Sequence, residues 1–129
     1  MPFVHVVIAL ALIEFIVFGF AVGRARVRYQ VPAPATTGNE VFERYFRVQM
    51  NTLEQLIIFV PSILLFARYF SAYLAAALGA LFIIGRALYF RGYVKDPRRR
   101  EAGFMLSLIP NLVLLIGALI GAVRALTVS

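Results

Sequence analysis

The sequence predicts an all-α integral membrane protein, a single domain built as a four-helix bundle of transmembrane helices. Three observations predict it. Of the 129 residues, 62% are hydrophobic and the mean hydropathy is +0.87, whereas soluble domains are about 45–50% apolar. Charged residues make up 15%, against about 25% in a typical soluble domain. The apolar residues also fall into four runs, each near the roughly 20 residues that cross a hydrocarbon core. A chain this short cannot hide so much apolar side chain in one interior, because small domains bury a smaller share of their surface. The excess must face lipid.

The first span is expected over residues 3–23, interrupted only by His5 and Glu14. It reads as a retained helix and not as a cleaved leader. No cation precedes the apolar run, and Arg24, Arg26 and Arg28 stand between it and the small-residue tripeptide Ala33-Pro-Ala35. Residues 24–44 form the first loop, where Val31-Pro-Ala-Pro-Ala-Thr-Thr-Gly38 opposes a continuing helix. The second span, 45–67, begins polar and runs unbroken into an apolar stretch containing Pro61. A very short link then forces spans two and three (69–91) into an antiparallel hairpin. Residues 92–101 form the last loop and 102–124 the fourth span, with Pro110 inside it. Proline is tolerated in membrane helices because neighbouring groups satisfy the freed carbonyls, so kinks and not breaks are expected.

The net charge of +7 does not point to nucleic acid, whose ligands carry their cations on a solvated polar face. Here Arg24, Arg26, Arg28, Arg44 and Arg47 flank the first loop, and Arg91, Lys95, Arg98, Arg99 and Arg100 flank the third. Only Arg68 and Arg124 lie at the other ends of the spans. By the positive-inside rule the two basic loops are cytoplasmic and both termini are not. Cysteine is absent and His5 is the lone histidine, so no metal site, disulfide or cysteine nucleophile is expected.

The polar residues within the spans carry the functional information. An ionisable side chain at the centre of a span costs about 2.5–3.5 kcal/mol on insertion scales, so it turns toward a partner or a wet cavity. Arg44, Arg47, Asn51 and Glu54 follow one another at offsets of three, four and three, which stack on one helix face. Arg86, Tyr89 and Tyr93 do the same on the third helix, and Asp96-Pro97-Arg98-Arg99-Arg100-Glu101 opens the fourth. A structural ion pair explains one or two of these residues. The set of arginines, tyrosines and an asparagine at similar depth points instead to an anionic ligand. Arg98 and Arg99 read as an ordinary topogenic loop. Glu14 stands alone in the first span and is assigned a structural role, paired with Arg86 or donating to a neighbouring helix.

At this point the residues resemble a known family, the MAPEG superfamily of membrane-associated proteins in eicosanoid and glutathione metabolism. Phe42-Glu-Arg-Tyr-Phe-Arg-Val-Gln-Met-Asn-Thr-Leu-Glu54 looks like the family's Glu-Arg-x-x-Arg-x-x-x-Asn-x-x-Glu signature. Thr36-Thr-Gly38 before it, Gly85-Arg-Ala-Leu-Tyr-Phe-Arg-Gly-Tyr93, and Asp96-Pro97 followed by Arg100 strengthen the likeness. The resemblance implies a homotrimer with a glutathione site at each subunit interface on the cytoplasmic side. It implies Arg47, Asn51, Glu54, Tyr89 and Tyr93 as glutathione contacts, with Arg26 and Gln49 as additions, and Arg100 as the catalytic residue that keeps the thiol ionised. Gln55 and Val27 stand where leukotriene-synthesising members carry tyrosine and arginine. Both fit the bacterial or microsomal glutathione transferase branch better.

The residues suit that ligand chemically. All thirteen basic residues are arginine except Lys95, and guanidinium binds carboxylates bidentately where lysine does not. Glu54 suits an ammonium, and Asn51 and the tyrosine hydroxyls suit peptide groups. The implied activity is a membrane-bound glutathione transferase or peroxidase whose second substrate is a lipophilic electrophile or hydroperoxide arriving from the membrane lipid. Two other classes fit parts of the sequence: a small proton-coupled multidrug exporter using Glu14, and a membrane regulator that binds without turnover.

Overall fold

The computed structural model describes residues 1–128. Four helices succeed one another: α1 (Pro2–Tyr29), α2 (Glu40–Tyr69), α3 (Ala72–Lys95) and α4 (Arg100–Val128). A 3₁₀ turn at Pro97–Arg99 leads into α4. Among the described residues there is no strand, and every one of the four helices is long and apolar enough to cross a membrane.

The helices outrun the apolar runs that announce them. Arginine is a good helix former, so Arg24, Arg26 and Arg28 continue α1 to Tyr29, where Gln30 ends it in the left-handed conformation at φ 57°. The irregular part of the first connection is therefore residues 30–39 and not 24–44. Asn39 then starts α2 by accepting hydrogen bonds from the backbone N–H groups of Val41 (2.9 Å) and Phe42 (3.0 Å), satisfying donors that a helix leaves free at its first turn. The hairpin turn lies at Phe70–Ser71, so Tyr69 belongs to α2 and not to the third helix. Ser71 Oγ caps α3 by accepting from Leu74 N–H. Both Pro61 and Pro110 sit inside continuous helices.

Packing follows from which faces are apolar and small. α2 touches the other three helices, α1 leans on α2 and α3, and α3 and α4 pair most intimately. Two glycines permit that pairing. A Cβ on Gly85 would stand 2.5 Å from the backbone nitrogen of Ser107, and one on Gly103 would collide with the backbone of Tyr89. Small residues at such crossings let membrane helices gain dispersion contact where lipid offers no hydrophobic drive. The main core is built on Phe59 and Phe82, stacked at 4.1 Å between centroids, with Ile63, Leu114, Val4 and Ala75 around them. Toward the end of the bundle that carries the 30–39 connection, a second cluster joins Phe18, Val48 and Tyr89, with Phe18 stacked on Phe90 at 4.7 Å.

The outer surface is apolar. Ile13, Ile16, Phe20, Ile57, Ile84, Ile109, Ile116 and Leu119 are each at least half exposed. So large a contiguous apolar exterior is the mark of a surface that meets lipid or partner chains.

Candidate functional site

At the arginine-rich end of the bundle, α2, α3 and α4 enclose a cavity of about 490 Å³. α2 contributes Arg47, Met50, Asn51 and Glu54, successive residues of one face. α3 contributes Tyr89 and Tyr93, and α4 contributes Arg100, Glu101 and Phe104 from its first turns. The rings of Tyr89 and Tyr93 lie 5.5 Å apart, and Phe104 packs at a tilt against Tyr89 at 6.0 Å. Arg47, Glu54 and Arg100 are exposed, so the polar heads project into open space. The wall carries two guanidinium groups and two carboxylates. That balance suits a ligand bearing both signs of charge.

The elements position these groups for identifiable reasons. The approach of α3 and α4 at Gly103 sets Tyr89 beside the first turns of α4. Asp96 ends α3 and caps the 3₁₀ turn, its Oδ1 accepting from Arg98 N–H at 3.0 Å. That turn delivers Arg100 at the start of α4, where the helix dipole adds positive potential to the guanidinium charge. Arg44 does not line this cavity and instead borders a neighbouring hollow. Its Nη1 donates to the carbonyls of Val94 (3.3 Å) and Lys95 (3.2 Å), groups that the end of α3 leaves without helical partners. That hollow, of about 530 Å³, shares Arg47, Met50 and Tyr93 and extends toward Thr36, Thr37 and Glu40.

Behind the cavity wall stands Arg86, fully buried. Its Nε donates to Ser107 Oγ at 3.2 Å, and its Nη1 donates to Asn51 Oδ1 at 2.7 Å and to Thr52 Oγ1 at 3.3 Å. The guanidinium carbon also lies 4.4 Å from the centroid of the Tyr89 ring. Three helices thus share one cation. Its Nη2 and the Oε1 of Glu14 are both buried without a hydrogen-bond partner. A second polar contact crosses the bundle deeper, where Asn111 Nδ2 donates to Gln55 Oε1 at 2.9 Å.

Of the site residues read from the sequence, Arg47, Asn51, Glu54, Tyr89, Tyr93 and Arg100 share this cavity. Arg26 and Gln49 do not. Arg26 is engaged by the 30–39 connection, donating to Ala35 O at 2.7 Å and Val31 O at 3.3 Å and lying over the Phe42 ring. Gln49 is turned about α2 by its odd offset and rests against Gly19 of α1. Met50, Glu101 and Phe104 line the cavity without having been read as site residues. Met50 stands three after Arg47 and four before Glu54, and Phe104 stands four after Arg100, so helical spacing was the available signal for those two, whereas Glu101, one after Arg100, carried none.

A bundle of four helices long and apolar enough to cross a membrane, with a charged, aromatic-lined cavity at one end, defines an integral, multi-pass membrane protein. Comparison with protein-family models matches residues 4–120 to the MAPEG family, and the chain belongs to that family. It is 49% identical over 112 residues to an uncharacterized protein of Synechocystis sp., covering 87% of this chain and 82% of that protein. It is 45% identical over 103 residues to microsomal glutathione S-transferase 2 of Homo sapiens, covering 79% of this chain and 70% of the human protein. It is also 35% identical over 85 residues to leukotriene C4 synthase of Cavia porcellus, covering 66% and 57%.

Proposed function

We propose that this chain is a membrane-bound glutathione transferase that binds glutathione in the cavity between α2, α3 and α4 and ionises its thiol beside Arg100. The observation that carries the reading is the convergence of Arg47, Asn51, Glu54, Tyr89, Tyr93 and Arg100, from three helices, on one cavity. Similarity to a human microsomal glutathione S-transferase and to a leukotriene C4 synthase supports the same ligand.

Glutathione has two carboxylates, one ammonium and a thiol. Arg47 takes a carboxylate, Glu54 takes the ammonium, and Asn51 with the two tyrosine hydroxyls takes peptide groups. A free thiol with pKa about 8.5 is mostly protonated at neutral pH, and only the thiolate attacks efficiently. A guanidinium against the sulfur favours the anion, and a neighbouring opposite charge typically lowers a pKa by about one to three units. A guanidinium offers only donors and accepts no proton, so the thiol proton leaves to water at the open mouth. The thiolate then forms a carbon–sulfur bond with an apolar electrophile arriving from lipid, and the leaving group departs with the bonding pair. A lipid hydroperoxide is an electrophile open to the same thiolate.

The site faces the cytoplasm in this reading, and the protein works as a homotrimer. Arg26 and Gln49, kept out of the subunit's own cavity, take part only across a subunit boundary. The exporter alternative fits less well, because Glu14 is only half-buried, does not line the cavity, turns its Oε1 inward and lies within electrostatic reach of Arg86. A regulator that binds glutathione without turnover differs in one measurement. Purified protein titrated with glutathione is expected to rise in melting temperature, develop thiolate absorbance and conjugate a chlorodinitrobenzene-type acceptor. Arg100→Ala is expected to lose the thiolate signal while still binding. No thermal response in the parent protein refutes the reading, and binding without conjugation or peroxide reduction favours the regulator.

A further inference from the structure

Arg86 is the most costly residue in the molecule to bury, and the proposed chemistry does not use it. It lines no part of the cavity, yet it touches two residues that do: Asn51 through a 2.7 Å hydrogen bond and Tyr89 through its ring face. Guanidinium nitrogens only donate. The atom of Asn51 that faces Arg86 is therefore its oxygen, and the planar amide is held in one of its two orientations. Thr52 and Ser107 accept from the same guanidinium, so the cation cannot swing away without abandoning hydrogen bonds to α2 and α4 alike.

We infer that Arg86 is a positioning residue that fixes the Asn51 side chain with its NH₂ group, and not its carbonyl, turned to the cavity. Asn51 then reads a hydrogen-bond acceptor on the ligand, a peptide carbonyl or a carboxylate oxygen, and discriminates against a donor at that point. Without Arg86 the amide is free to flip and its selectivity is lost. The identity of the ligand as glutathione rests on the function proposed above, whereas the coupling between Arg86 and Asn51 does not.

Two measurements test the inference separately. The first uses no ligand. Melting temperatures are compared for the parent, Asn51→Asp, Arg86→Gln and the double variant in detergent. Asn51→Asp is expected to hold or raise the melting temperature when Arg86 is present, since a carboxylate accepts from the guanidinium, and to lower it by several degrees when Arg86 is replaced. Equal shifts in both backgrounds overturn the coupling. The second measurement uses glutathione. Arg86→Gln and Asn51→Ala are each expected to raise the KM for glutathione roughly tenfold, the order of one lost hydrogen bond to a charged ligand. The kcat at saturation should be retained, and the double variant should be no worse than either single one. Additive losses, or a fall in kcat with KM unchanged, overturn the positioning role. If Arg86→Gln does not fold, Asn51→Asp alone decides: glutathione binding should disappear with the melting temperature preserved, and binding at parental affinity refutes the inference. A parent protein that ignores glutathione sinks the functional reading, while the ligand-free comparison still judges the coupling.

Discussion

Arg47 and Arg100 are exposed cations at the mouth of a cavity, and Arg86 is a buried one behind its wall. The three arginines look alike in the sequence and have different tasks. Charge on an open site is screened by water and salt, so in the proposed function Arg47 serves to attract and bind a carboxylate, while Arg100 would act through closeness to the sulfur. Glu54 shares the wall and is the natural counterpart of an ammonium. Glu54→Gln keeps the shape and removes the charge, and it is expected to raise the KM for glutathione about tenfold or more while leaving the thiolate absorbance at saturation intact. Loss of the thiolate signal in that variant would move Glu54 from binding into ionisation. The same-face run Arg47, Asn51 and Glu54 was legible because residues three and four apart must meet on a helix. Arg26 and Arg44 were not, because backbone carbonyls as acceptors leave no trace in a sequence.

At the scale of elements, the four helices were legible from apolar length, since hydrocarbon solvates no unpaired backbone and leaves a helix as the available form. Their ends were not. Arginines extend α1 past its apolar run, and a two-residue turn starts α3 three positions later than the composition suggests. The α3–α4 contact was equally hidden, since Gly85 and Gly103 acquire meaning only when another backbone stands where their Cβ atoms would be. Gly103→Val drives a branched side chain into the Tyr89 backbone. It is expected to cost about 1–3 kcal/mol as overpacking, visible as a lowered melting temperature. It should also weaken the glutathione response, because Tyr89 and Arg100 flank that contact. Full retention of both properties would show that α3 and α4 can separate without harm to the cavity.

For the whole molecule, the apolar exterior makes one demand: apolar surface that one chain leaves bare must meet lipid or another copy. Light scattering with the detergent mass subtracted is expected to return three chains per particle. A single chain would leave Arg26 and Gln49 without a route to any ligand site, and both would then be structural. The length of α2 has a consequence of its own. Its last 20 residues, Met50 to Tyr69, rise about 30 Å, the thickness of a bilayer's oily layer. The cavity residues from Arg47 to Glu54 therefore float at the seam where acyl chains give way to headgroups. A water-borne peptide and an oil-borne acceptor can each reach that seam without leaving its own solvent.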